Sequence, residues 1–134
     1  MEETLFDIKG NPVAYIAYDN EPVIYMWQGK PVAYLYGDCI FGFNGKHLGW
    51  FEKGIVWNMD GLINGFNKNS ADVYLSFEPF KGFKEFLPIK SFKEFAHMKP
   101  LYKMTKSSCP LSKLLMSGAD WLEWTWRQAS VTKN

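Results

Sequence analysis

The sequence predicts an all-β fold: four sequential β-hairpin repeats around a pseudo-fourfold axis, followed by an extended, polyproline-II-like tail with short helical turns. Four glycines, Gly10, Gly29, Gly45 and Gly61, recur at spacings of 19, 16 and 16 residues in the same local context. The residues before each glycine alternate with period two (Tyr25/Trp27, Phe41/Phe43), as half-buried strands do. Downstream, Phe77, Phe80, Phe83, Phe86, Ile89, Phe92, Phe95, Met98, Leu101 and Met104 are apolar at every third position, a period that belongs to neither an α-helix nor a strand. The chain therefore divides into residues 1–70, the hairpin repeats, residues 71–104, the period-three tail, and residues 105–134, a terminal segment with a tryptophan cluster.

The repeat is read column by column. Five residues before each glycine stands Leu5, Ile24, Ile40 or Val56; four before stands Phe6, Tyr25, Phe41 or Trp57; two before stands Ile8, Trp27, Phe43 or Met59. Four residues after comes a small residue (Ala14, Ala33, Gly49, Gly65), and five after comes an aromatic (Tyr15, Tyr34, Trp50, Phe66). Each unit is a hairpin turning at "KGNP", "QGKP", "NGKH" or "DGLI". Asn44-Gly45 and Asp60-Gly61 accept positive φ, so tight primed turns are expected there. Pro12 and Pro31 open returning strands, where a missing N–H does least harm. "YDNEP", "YGDC" and "FEKG" supply the turns between units. A lone hairpin cannot cover its own apolar face, but four can share a centre. The small residue is expected where backbones approach closely, with its aromatic neighbour facing the other way. In the fourth unit Asn64 and Asn67 replace apolar residues, which suits a terminal repeat lacking a neighbour on one side.

Only a threefold backbone keeps every third residue on one line, which means polyproline II or a 3₁₀ helix. Pro79, Pro88 and Pro100 would break a 3₁₀ run, and all three precede an apolar position. Lys81, Lys84, Lys90, Lys93 and Lys99 follow one. "SFKEFAHM" offers a competing two-turn helix at 91–98 through a Ser91/Glu94 capping box, and a second helical turn is expected near 111–117. Fully extended, Phe77–Met104 would span about 87 Å, against about 36 Å for a globule of this length. The tail must bend or reach across another subunit.

"LFDIKGNPVAYI", "IYMWQGKPVAYLYGDCIFGFNGKHLGWFEKG" and the triplet tract resemble bacterial proteins with a 4-fold beta flower domain, residues 32–54 being the most specific part. In that family a "NGKHLGWFE"-like segment leads through a fourth unit into a lysine/proline/aliphatic triplet tail, and "ADWLEWTW" is similar to its tryptophan-containing end. This chain has phenylalanine where the family usually has valine or isoleucine. The resemblance implies a fold and no particular activity, and it carries over no catalytic residues.

At 134 residues and 18% aromatics the chain is one domain with either a β-rich core or an aromatic-lined surface. A net charge of +1 gives no field favouring nucleic acid or an anionic membrane. "MEETLFDIKG" has no apolar run of the secretory kind, and a cytoplasmic protein with no membrane span is expected. Cys39 and Cys109 have no metal or redox spacing and are expected as unpaired thiols. His47 is expected as a solvated turn residue, and Asp19, Asp38 and Asp60 as turn chemistry rather than a carboxylate ring. "SSCPLS" is not a nucleophile elbow. Tail lysines between phenylalanines could stack single-stranded nucleic acid, but apolar burial with solvated lysines is the favoured reading.

No cofactor is implied and no catalytic constellation is found, so the expectation is a non-catalytic structural or interaction module. It would self-associate through its tail or bind another protein. The alternative is a ligand-binding module, in which the repeated Tyr15, Tyr34, Trp50 and Phe66 take carbohydrate or peptide. Trp121, Trp124 and Trp126 either close the core or form a partner surface. A weaker idea is an enzyme centred on Asp38, Cys39 and His47.

Overall fold

The structure is a computed structural model that describes residues 1–119, so Trp121, Trp124 and Trp126 lie outside the described residues. Each glycine-centred repeat forms one antiparallel hairpin: β1 (Glu2–Asp7) with β2 (Pro12–Ala17), β3 (Val23–Met26) with β4 (Pro31–Tyr36), β5 (Cys39–Gly42) with β6 (His47–Glu52), and β7 (Ile55–Trp57) with β8 (Ile63–Phe66). Consecutive hairpins pair side by side, and β8 returns to β1, closing an eight-stranded barrel. A register shift recurs at the same point of every hairpin: Leu5/Phe6, Ile24/Tyr25, Ile40/Phe41 and Val56/Trp57. Such a bulge bends its strand and increases the local twist, which is what short strands need to close a barrel.

The inner wall follows from two sequence columns. Leu5, Ile24, Ile40 and Val56 are all 0% exposed, and they stand opposite Ala14, Ala33, Gly49 and Gly65. An eight-stranded barrel has room inside only for side chains, and pairing each large residue with a small one fills that room. At Gly65 a Cβ would sit 2.6 Å from the Phe6 carbonyl oxygen and 2.8 Å from a Leu111 methyl. The small column marks close approach, as its composition suggested. Leu111 and Leu115 of α1 (Leu111–Met116), the helical turn expected near 111–117, complete the same core. Among the described residues, no helix is long and apolar enough to cross a membrane.

Three local expectations are corrected. The glycine turns are not primed: Gly45 N–H donates to Gly42 O, Gly42 N–H donates to Lys46 O, and of Asn44-Gly45 only the glycine has positive φ. That is a type I turn closed by a left-handed glycine, and the other three hairpins repeat it. The primed geometry falls instead between units, at Lys53-Gly54, where both residues have positive φ. The polar fourth repeat is not an uncovered end, because barrel closure gives it two neighbours. Asn64 Nδ2 donates to Cys109 O at 2.7 Å, while Asn67 donates to Glu3 and accepts from Ser70 N–H, so these amides direct the chain as it leaves and re-enters the wall. Finally, no helix forms at 91–98. The N–H groups of Ser91 and Glu94 donate to Phe43 O and Gly45 O of the barrel, which leaves no capping box.

Candidate functional site

From residue 73 onward the tail bends around its own barrel as a belt and meets each hairpin turn once. Ser76, Glu85, Glu94 and Lys103 donate their backbone N–H groups to the carbonyls of Gly10, Gly29, Gly45 and Gly61. These donors are nine residues apart, three triplets per quarter turn, so every quarter of the barrel meets the same phase of the tail. Gly82 and Ser91, also nine apart, donate to Trp27 O and Phe43 O. The turn glycines serve this docking directly. At Gly29 and Gly45, with φ of +106° and +87°, a Cβ would lie 1.8 and 2.0 Å from the carbonyl oxygens of Phe83 and Phe92.

The belt's two edges face opposite to the sequence expectation, which buried the apolar edge and solvated the lysines. All ten residues at the period-three positions from Phe77 to Met104 are exposed, between 79% and 103%. The lysines turn inward. Lys81 Nζ lies 4.5 Å from the centre of the Tyr15 ring and 2.5 Å from Glu2 Oε1, and Lys84 lies 2.9 Å from Glu2 Oε2 and 3.3 Å from Asp19. Lys90 sits 4.1 Å over Tyr34 and pairs with Glu21; Lys93 sits 4.5 Å over Tyr36. Lys99 binds both Asp38 and Glu52. Lys106, past the triplet run, lies 5.7 Å over Phe66 and 3.1 Å from Asp72, joining the two ends of the belt. The cause is electrostatic. The outer wall presents aromatic faces, which attract ammonium groups through the ring quadrupole, and the inter-unit turns present carboxylates. Lys81 and Lys84 hold the Glu2 carboxyl below its usual range, and Lys90 does the same for Glu21.

The repeated aromatics are therefore a seat for the belt. Tyr15, Tyr34, Trp50 and Phe66 are buried in the outer wall. Tyr15, Tyr34 and Phe66 each lie beneath an ammonium, while Trp50 is flanked by His47 at 4.7 Å and Tyr102 at 6.4 Å. Tyr102 in turn stacks on Trp57 at 4.3 Å, and burial raises its hydroxyl pKa to about 12. Trp27 Nε1 donates to Pro79 O. Sequence reasoning found these aromatics and missed the lysines that cover them. The available signal was the nine-residue repeat itself: "GFKEFLPIK" (82–90) followed by "SFKEFAHMK" (91–99).

His47 is buried, not solvated. Its Nδ1 accepts the His97 backbone N–H at 2.9 Å, and its Nε2 lies 3.0 Å from Gly49 O, so both ring nitrogens are engaged by backbone groups. Cys39 Sγ lies 3.8 Å from Asp38 Oδ1, and burial pushes its thiol pKa up. Asp38 is held low by a hydrogen bond with Glu52 and by Lys99. Asp38 thus engages Cys39 and, through Lys99, the belt, and His47 offers them no free nitrogen. Both cysteines are free thiols, and among the described residues no group of three His, Cys, Asp or Glu side chains could hold a metal ion.

Comparison with curated proteins and with solved structures gave no match. Residues 3–115 match the 4-fold beta flower protein family, a span that takes in all of the barrel but Glu2, the belt and nearly all of α1. Four equivalent hairpins closed into one barrel are the structural counterpart of that match, and the chain belongs to the 4-fold beta flower protein family.

Proposed function

We propose that this chain is a non-catalytic interaction module that self-associates through the apolar edge of its belt. The observation that carries the reading is that edge: ten large apolar side chains, each at least 79% exposed, on a backbone fastened to the barrel. Its six phenylalanines alone offer on the order of 1,000 Å². Apolar patches beyond a few hundred Å² mark interaction sites, and a stable interface needs about 800 Å² from each partner. A second copy carries the same edge, so a sector of one belt can meet the matching sector of another with several large apolar side chains on each side. The lysines add little to such an interface, since they are turned to their own barrel.

Light scattering behind a sizing column tests this. The expected result is a discrete oligomer of the 15.5 kDa chain. The triple variant Phe80→Ser/Phe83→Ser/Phe86→Ser should become monomeric while melting within a few degrees of the parent, because exposed positions contribute about 0.5 kcal/mol or less each to folding. A parent chain that is monomeric at every concentration overturns the reading, as does a triple variant that still assembles.

A further inference from the structure

The chain has 2 histidines, and the fold brings them face to face. The rings of His47 and His97 stack with centroids 5.5 Å apart, and His97 N–H donates to His47 Nδ1. Register makes the pairing specific. His47 stands two residues after its turn glycine, where the first two hairpins have Pro12 and Pro31. His97 holds the seventh place of its nonapeptide, where the two preceding nonapeptides have Pro79 and Pro88. Proline neither titrates nor donates an N–H. One quarter of the ring has thus exchanged both prolines for histidines, and its hydrogen bond ends on an imidazole lone pair.

We propose that His47 and His97 form a proton-operated latch, in which a proton taken up at His47 Nδ1 releases the belt sector Ser91–Lys99 from the barrel. The geometry dictates the direction. With Nδ1 accepting from a backbone N–H and Nε2 beside a carbonyl, the ring is the neutral Nε2–H tautomer. A proton on Nδ1 consumes the lone pair and sets two donors against each other, so this contact has no imidazolium form. The groups around the ring come from three places. From the belt, Glu94 Oε1 accepts His47 N–H at 2.7 Å and lies 3.3 Å from His97 Nε2. From the turn before β5, the Asp38 carboxylate exerts a weaker pull on the ring and is itself paired with Lys99. From the wall, Phe41 and Trp50 pack on the imidazole. Burial lowers the His47 pKa below 6.5, outweighing the opposing pull of the Gly49 carbonyl, Glu94 and Asp38. Below pH 6.5 the unfastened state then binds the proton that the fastened state refuses. The latch is at full strength above that pH and weakens as pH falls towards the folded-state value.

This latch does not depend on self-association, and its test reads the belt directly. Native-state hydrogen exchange would be followed by NMR on the full chain between about pH 8 and about pH 5. The His97 amide is compared with the Glu85 amide, which donates to Gly29 O one quarter away. The protection ratio should hold at neutral pH and then fall by up to about tenfold per pH unit in acid, while His47→Asn, with an amide oxygen near the Nδ1 position, should flatten the profile. A flat ratio in the parent chain overturns the latch, and so does a parent-like profile in His47→Asn. If that variant does not fold, the imidazole nitrogen shifts of the parent decide. His47 titrating together with loss of His97 protection supports the latch, and His47 titrating under an undisturbed His97 amide overturns it.

Discussion

Barrel and belt share a fourfold plan and handle apolar side chains in opposite ways. In the barrel, Leu5, Ile24, Ile40 and Val56 point inward and are wholly buried. In the belt, an apolar run more regular than any strand of the barrel is almost wholly exposed, and the charged edge is the one drawn in. The difference lies in what fixes each backbone. Strand pairing satisfies the barrel's amides within the sheet and leaves side-chain burial to decide which face points inward. The belt has no sheet partner, and those of its N–H groups that reach the barrel end on turn carbonyls or, at His97, on an imidazole. Once that contact and the ammonium–aromatic contacts select the inward edges, the third edge is left outside whatever its hydropathy.

That contrast can be broken or sharpened by substitution. The largest effect is expected in the barrel: Ile24→Ala should lower unfolding free energy by about 2–5 kcal/mol in urea titrations. A cost no greater than that of one exposed belt phenylalanine would erase the distinction. Next is Gly45→Ala, which meets both a positive φ and the Phe92 carbonyl oxygen at 2.0 Å. A loss of about 1–3 kcal/mol is expected, with amide protection falling first at Glu94, and uniform loss across the barrel would show that the turn acts without the belt. Smallest is Lys90→Ala, which removes an ammonium above Tyr34 whose side chain remains 35% exposed. It should cost about 0.5–1 kcal/mol by thermal melts, less in high salt. No change would sharpen the contrast, since backbone bonds alone would then hold the belt.

The barrel was legible because each hairpin repeats its demands locally. The residue at Leu5, Ile24, Ile40 and Val56 must be large, its partner small, and the turn must hold a glycine. Closure was not legible, because nothing in Asn64 or Asn67 distinguishes a bare end from an exit point, and the pairing of β8 with β1 spans nearly the whole repeat region. Turn type was misread because Asn-Gly satisfies both a primed turn and a type I turn with a left-handed glycine. The period of three was plain, but its multiple of nine was hidden, since position seven runs Pro79, Pro88, His97, Lys106 and shows its equivalence only against four turns in space. The inward lysines were missed because solvation is the ordinary fate of lysine, and the carboxylates that hold them lie far off in sequence, as Glu2 does from Lys84.

The joint between the first and last strands is the barrel's shortest seam, with two residue pairs against five between β1 and β2. The Lys106–Asp72 pair lies against Phe66 of β8, where the belt's end meets its beginning. A cylinder that opens along one line cannot widen while a tied hoop surrounds it. Parting β8 from β1 also strains the belt's bonds to the turns at Gly10 and Gly61, so those bonds reinforce a seam that has few hydrogen bonds of its own.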